Sequence, residues 1–306
     1  MPYDCGNVIE RLVNMLTGKL IWPVLMIGMV ILSACNGNHQ VEKEVQEAEI
    51  IGIDAGSSIK DGTLYLEQTK TAENIVAELP PFIHDSTKQY IYLTFDDGPQ
   101  FGTKSCIQVC KELGVKATFF MIGAHVTGRD DGKAIINDLK ANYPQFLLAN
   151  HSFHHASNQY TYFFQHPAMA FADFIKTQDT LAPPYKIARL PGNNSWVLKD
   201  TMRASKLVRA LCNKLDSAGY RVFGWDTEWM FNYNDVRPIQ SAEKMAQHIT
   251  YLLEDNAVFT KNHLVLLTHD RMFQRPEYVD SLKKMITILK ENPKYVFETI
   301  DHYPGY

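Results

Sequence analysis

Two aspartates stand side by side at Asp96 and Asp97, inside the run Thr94-Phe95-Asp96-Asp97-Gly98-Pro99. Adjacent carboxylates repel, so one has to be neutralised by a proton, a cation or a metal, which leaves the other to act as a base. Asp-Asp-Gly-Pro is also ordinary turn chemistry, and the run alone does not choose. Further on, Asn150-His151-Ser152-Phe153-His154-His155 places His151 and His155 four apart. That spacing puts both imidazoles on one face if a helical turn begins here, where they can share a divalent ion. With Asp97 they make two histidines and a carboxylate, leaving a fourth position for water as in catalytic zinc sites. The competing reading is a polar histidine cluster on a surface loop, and the strand-end aspartate pair favours the metal over it.

These residues need a scaffold. Tyr90-Ile91-Tyr92-Leu93 reads as a buried strand delivering the aspartates at its C-terminal end. A helix follows near 103–113, closed by Gly114, and then a second buried strand over 116–123. Strand, helix, strand implies a parallel βαβ unit. Further strands are expected at 146–149, 186–190, 221–225, 264–268 and 295–299, with helices near 133–143, 197–218, 241–256 and 277–291. About seven parallel strands with helices outside describe an α/β fold, an incomplete, distorted (β/α) barrel, whose loops after the strands converge on one mouth.

At 306 residues and 45% hydrophobic, the chain can bury one large core. A net charge of -4 and a pI near 6.3 give no basic footprint, so nucleic acid is not an expected partner. Cys106, Val109, Cys110 and Leu113 fall at helical spacing, which makes the two thiols small buried hydrophobes. A disulfide through Cys212 is a minor option.

Thr94 to Pro99 and His151 to His155 resemble the first two motifs of the polysaccharide deacetylase family (the NodB homology domain, carbohydrate esterase family 4). Arg189-Leu190-Pro191-Gly192 resembles the third motif, Asp226-Thr227-Glu228-Trp229 loosely the fourth, and Leu267-Thr268-His269 the fifth. The resemblance spans roughly residues 88 to 303 and implies the incomplete barrel. It also implies a metal-dependent hydrolase that removes N-acetyl groups from amino sugars of an envelope or extracellular polysaccharide. O-acetyl ester or cyclic-amide hydrolysis, or non-catalytic glycan binding, are the alternatives.

On this resemblance Asp97, His151 and His155 hold one divalent ion, zinc first, with cobalt or nickel as alternatives. Asp96 is the base, fixed and kept ionised by Arg189. His269 is the acid, oriented by Glu228 or Asp226. A backbone N–H near Gly192 serves the oxyanion, and Leu267 and Trp229 wall the pocket for the acetyl methyl. Two departures stand out: Trp225 occupies the first acidic position of the fourth motif, with Glu228 at the second, and Asn193 stands where many members have glycine. Tyr160-Thr-Tyr-Phe-Phe164 is read as core or loop packing rather than as a sugar subsite.

The first residues are expected outside this domain. An uncharged apolar run over 20–32 ends in Leu32-Ser33-Ala34-Cys35, which looks like a bacterial lipobox with Cys35 as the lipidated residue. The alternative is an uncleaved signal anchor. Met15 is an alternative start, since Asp4 and Glu10 beside Arg11 do not make a basic leader. The expected organisation is a lipoprotein signal peptide over 1–35, a tether and extension over 36–88, and the catalytic domain over 89–306. Asn36 after the cysteine, by resemblance to Gram-negative lipoproteins, points to the periplasmic face of the outer membrane. The expected partners are an N-acetylated glycan and, through the lipid anchor, a membrane. Ile50–Ile53 and Thr63–Leu66 are expected to form a small hairpin or to pack on the barrel.

Overall fold

The computed structural model describes Ser57–Lys60, Thr63–Leu66 and residues 82–306. The expected signal segment over 1–35, with Cys35, and Ile50–Ile53 lie outside the described residues. The chain divides into two compact units, Met1–Glu73 and Asn74–Tyr306. In the first, β1 (Ser57–Lys60) pairs antiparallel with β2 (Thr63–Leu66). A hairpin is there, with Ser57–Lys60 as the partner of Thr63–Leu66.

The second unit is one curled, mostly parallel sheet with helices against its outer face. Its strands are β3 (Gln89–Gly98), β4 (Ala117–Met121), β5 (Phe146–Asn150), β6 (Ile187–Ala188), β7 (Trp196–Leu198), β8 (Thr201–Arg203), β9 (Arg221–Val222), β10 (Thr227–Glu228), β11 (His263–His269) and β12 (Tyr295–Phe297). They are ordered β10-β11-β3-β4-β5-β6-β9-β7-β8, with β12 pairing the start of β3 beside β4. Only β7 runs against the others, antiparallel to both β8 and β9. The sheet stays open between β10 and β8, which makes it the expected incomplete barrel.

Strand β3 shows how the sequence positions the site. Successive side chains alternate between faces. Ile91, Leu93 and Phe95 join the core under the helices, whereas Tyr90 and Tyr92 join the inner cluster with Phe120, Trp196, Phe223 and Tyr303. Thr94 and Asp96 continue the inner face. Asp97 then breaks the alternation, because the β3–β4 register shifts between Asp96 and Gly98 and Asp97 takes a left-handed φ of 72°. An irregularity of this kind re-aims a side chain, so both neighbouring carboxylates face the mouth.

The helices are α1 (Thr103–Leu113), α2 (Gly123–Thr127), α3 (Gly132–Ala141), α4 (Tyr160–Gln165), α5 (Pro167–Leu181), α6 (Arg209–Ser217), α7 (Ala242–Glu254) and α8 (Pro276–Lys290). Helix α1 ends at Gly114, whose φ of 62° suits a residue without a Cβ. It buries Cys106 and Cys110 as free thiols. Cys212 is also buried and free, so no disulfide forms among these three.

The helix expected over 197–218 is corrected. That stretch holds β7, β8 and only then α6, because Trp196–Leu198 turns back on Thr201–Arg203 as an antiparallel pair. Helix α5, entered through Pro167 at its first turn, was not among the expected elements.

Candidate active site

The C-terminal ends of β3, β5, β10 and β11 surround a cavity of about 470 Å³. Its lining includes Asp96, Asp97, His151, His155, Gly192, Glu228, Leu267 and His269. In the parallel register His269 lies opposite Asp96 across β3 and β11, so strand pairing alone brings the two ends of the constellation together.

Asp97 is at the centre. Its Oδ1 lies 3.1 Å from His155 Nε2 and 3.4 Å from His151 Nε2, and its Oδ2 lies 4.0 Å from His269 Nε2. His151 and His155 do not meet on a helical turn as expected. His151 follows β5 directly, while Ser152 and His155 take left-handed φ of 64° and 50°, folding the chain into a tight loop that returns His155 beside His151. His151 Nδ1–H donates to the Arg189 carbonyl at 3.0 Å, which leaves Nε2 facing Asp97. His154 turns aside and bonds Asp173 at 2.6 Å.

The residues fit a metal ion. One donor atom from each of Asp97, His151 and His155 lies within 4.8 Å of the others, and Asp97 Oδ1 is buried without a hydrogen-bond partner among the described residues. A buried carboxylate oxygen facing two imidazole nitrogens is what a ligand set presents. Burial pushes the Asp97 carboxyl up, but the two imidazoles outweigh it and hold the group well below the usual carboxylate range. His151 is buried, which lowers it, yet Asp96 and Asp97 carry it above the ordinary histidine value.

Asp96 is held differently. Its Oδ1 accepts from Arg189 Nη1 at 2.8 Å, and the same nitrogen donates to Thr94 Oγ1 at 2.6 Å. Arg189 Nε and Nη2 donate to the Phe223 and Gly224 carbonyls at 3.1 and 2.9 Å, and its guanidinium lies 4.2 Å from the Phe120 ring centre. Arg189 is fully buried behind Asp96 and adds no surface to the cavity. A planar fork with every edge engaged fixes the carboxylate it touches.

Two expected residues stand elsewhere. Asp226 is not in the lining, because its oxygens accept from the backbone N–H groups of Phe259 (2.5 Å) and Val265 (2.7 Å) and so pin β10 to β11. Burial raises that carboxyl to about 6. Trp229 is fully buried in the outer core against Phe273, with its indole N–H on the Gln240 carbonyl, so it does not wall the pocket. Glu228 and Leu267 do line it, on the facing pair of β10 and β11. Neither Glu228 nor Asp226 bonds His269, whose Nδ1 is buried without a partner among the described residues.

Other residues complete the walls. Trp225 lines the cavity where Trp229 was expected, Phe231 packs its ring 5.3 Å from His269, and Tyr233 stands at the rim. His125 Nδ1–H donates to the Asp97 carbonyl at 2.7 Å. Tyr160 lines the cavity and closes on Gly192, where a Cβ would lie 3.2 Å from its ring. Phe163 and Phe164 are buried as core, so the aromatic run divides between site and packing. The Asp-Gly and His-rich spacings signalled none of these residues.

The family model "Polysaccharide deacetylase" matches residues 84–188, a span that contains Asp96, Asp97, His151 and His155. The chain is 26% identical over 312 residues to a chitin disaccharide deacetylase of Vibrio alginolyticus, covering 72% of this chain and 73% of that one. It is 28% identical over 245 residues to a peptidoglycan-N-acetylglucosamine deacetylase of Bacillus cereus, covering 78% and 79%. Among solved structures, the catalytic domain of a peptidoglycan N-acetylglucosamine deacetylase from Eubacterium rectale superposes with a TM-score of 0.51 at 21% identity, over 75% of this chain and 99% of that one. A chitin deacetylase from Colletotrichum lindemuthianum gives 0.51 at 18%, over 71% and 88%. At those identities the structures bear on the fold, and the fold they share is the curled half-barrel described above. The chain is thus similar to polysaccharide deacetylases in sequence, with the family model falling on its first strands and the histidine loop, and it shares their fold.

Proposed function

We propose that the protein is a metal-dependent hydrolase that removes N-acetyl groups from amino sugars of an envelope or extracellular polysaccharide. The observation that carries this reading is one cavity in which Asp97, His151 and His155 converge beside an arginine-held Asp96, with His269 on the facing strand. The Vibrio alginolyticus relative is named for deacetylating chitin disaccharide and the Bacillus cereus relative for N-acetylglucosamine of peptidoglycan, which supports the acetamido sugar as substrate.

Asp97, His151 and His155 are the residues that would hold the ion, zinc first with cobalt or nickel as alternatives. When bound there, it would supply Lewis-acid polarisation of the acetamide carbonyl and a lowered pKa for a water molecule. Asp96 takes a proton from the attacking water as the water oxygen bonds to the carbonyl carbon, and Arg189 keeps the carboxylate aimed. A backbone N–H at Gly192 serves the developing oxyanion. His269 gives its proton to the nitrogen as the carbon–nitrogen bond breaks, leaving acetate and a free amine. Leu267 contributes an apolar wall for the methyl group, and Glu228 is the cavity carboxylate available to His269.

The leader reading belongs to the same proposal. Residues 1–35 act as a lipoprotein signal, Cys35 carries the lipid, and 36–88 tether the domain at the periplasmic face of the outer membrane.

The test is the purified domain with zinc supplied, incubated with a panel of N-acetylated and O-acetylated glycans, and read by released acetate and new amine. Equal yields of acetate and amine from an N-acetylated glycan are expected. No acetate from any member would overturn the reading.

A further inference from the structure

Asp270, directly after His269, is fully buried and does not line the cavity. Its Oδ2 accepts from the Thr103 hydroxyl, and Thr103 Oγ1 in turn accepts from the Gln100 backbone N–H at 2.7 Å. Gln100 lies in the turn after Asp97, and Gln100 Nε2 donates to the Asp97 carbonyl at 3.2 Å. Two successive hydrogen bonds therefore join the turn that carries Asp97 to the turn that carries His269.

The packing is as close as the bonding. A Cβ at Gly98 would come within 2.5 Å of Asp270 Oδ2, and one at Gly102 would overlap the Asp270 carbonyl oxygen at 1.8 Å. The turn over 98–102 is thus moulded on Asp270, on its side chain at one end and its backbone at the other. Asp97 itself sits at φ 72°. A non-glycine residue in that region is strained and stays there only where its surroundings over-determine it. Thr103 and Asp270, both wholly buried, are part of what does so.

We propose that Thr103 and Asp270 are positioning residues, a buried relay that holds Asp97 in its ligand conformation and in register with His269. Neither touches substrate, and both act through the turn they join. The inference rests on Asp97, His151 and His155 being metal ligands, and the experiment separates the two ideas.

Thr103→Val removes the hydroxyl at nearly constant shape. Zinc affinity, measured by competition with a chromophoric chelator, should fall about ten-fold or more, the range seen when a partner behind a metal ligand is lost. On an acetylated chito-oligomer kcat should fall with it while KM stays within about two-fold. Thr103→Ser, which returns the hydroxyl, should recover both. Asp270→Ala breaks the relay from its other end and should repeat the loss, and Asp270→Asn, which keeps an accepting oxygen, should recover it. Wild-type zinc affinity and kcat in either Thr103→Val or Asp270→Ala, or no recovery in the two conservative variants, would overturn the relay. A wild-type protein that neither binds zinc nor releases acetate would instead overturn the metal-site reading beneath it.

Discussion

Arg189 Nη1 lies 2.8 Å from Asp96 Oδ1, and the two side chains are buried together, Arg189 completely. A pair of this kind is costly to assemble and more costly to break, since removing one partner leaves an uncompensated charge and typically loses about 3–5 kcal/mol. Arg189→Met should therefore lower the melting temperature by several degrees and cut kcat/KM by about 10² or more, as the base loses its orientation. Arg189→Lys should recover little, because an ammonium cannot reach Asp96, Thr94 and the Phe223 and Gly224 carbonyls at once. Thermal melts and kcat/KM on one N-acetylated oligomer, measured side by side, check both.

A second prediction concerns pH and the opposite end of the barrel. His263 stacks on Tyr90 with ring centres 5.0 Å apart, and its Nδ1 lies 3.0 Å from the Tyr92 hydroxyl. Burial, with His84 adding to it, pushes its pKa from 6.5 down to about 4. The folded protein thus holds it neutral where the unfolded chain would bind a proton. Its contribution is full above about pH 6.5 and is lost as pH falls toward 4, up to about 3 kcal/mol. Asp226 and Asp270, raised to about 6 and about 7 by burial, act with the opposite sign, their contributions fading as pH rises. Comparison with His263→Phe isolates the histidine. Metal-free melts from pH 7.5 to 4.5 should show the wild type losing more stability on acidification than the variant, and equal slopes would refute this.

How far the sequence carried depends on which signals are local. The β3, α1 and β4 succession was legible because Ile91, Leu93 and Phe95 alternate cleanly and Gly114 stops the helix where it should. Trp196–Leu198 and Thr201–Arg203 turn back on each other within too few residues to show a period, so the stretch from 197 passed for the start of a helix. The ligand types were legible, but the backbone joining them was not. Left-handed conformations at Asp97, Ser152 and His155 are set by tertiary contacts and leave no trace in spacing. Trp225 and Trp229 show the same limit, since which of them faces the cavity depends on how the chain enters the two-residue strand Thr227–Glu228.

The proposed lipid anchor gives a third prediction. If Cys35 carries the lipid, Cys35→Ala should abolish labelling by a clickable fatty acid and release the protein from the membrane fraction. A variant that stays membrane-bound and unlabelled would point to an uncleaved anchor, and one still labelled would refute Cys35 as the acceptor. Lipid attachment at the N-terminus is a matter of about 0.8 kcal/mol per buried CH₂, so release should be complete rather than graded.

The last prediction separates the two neighbouring carboxylates, to which the proposed mechanism gives different work. Asp97 lies 3.1 and 3.4 Å from the two imidazoles and is the anionic member of the proposed ligand set, whereas Asp96 is bonded to Arg189. Asp97→Asn should weaken zinc binding strongly and lose activity with it. Asp96→Asn should keep zinc and lose the base, a cost of about 10² to 10⁴ in rate. His269→Ala should also keep zinc, but its deficit should shrink on an activated O-acetyl ester, whose leaving group needs no proton. Exhaustive chelation should silence the wild type, and added zinc or cobalt should restore it. If Asp96→Asn lost the metal while Asp97→Asn kept both metal and activity, base and ligand would be exchanged; if both variants kept full activity, the hydrolase reading would fail.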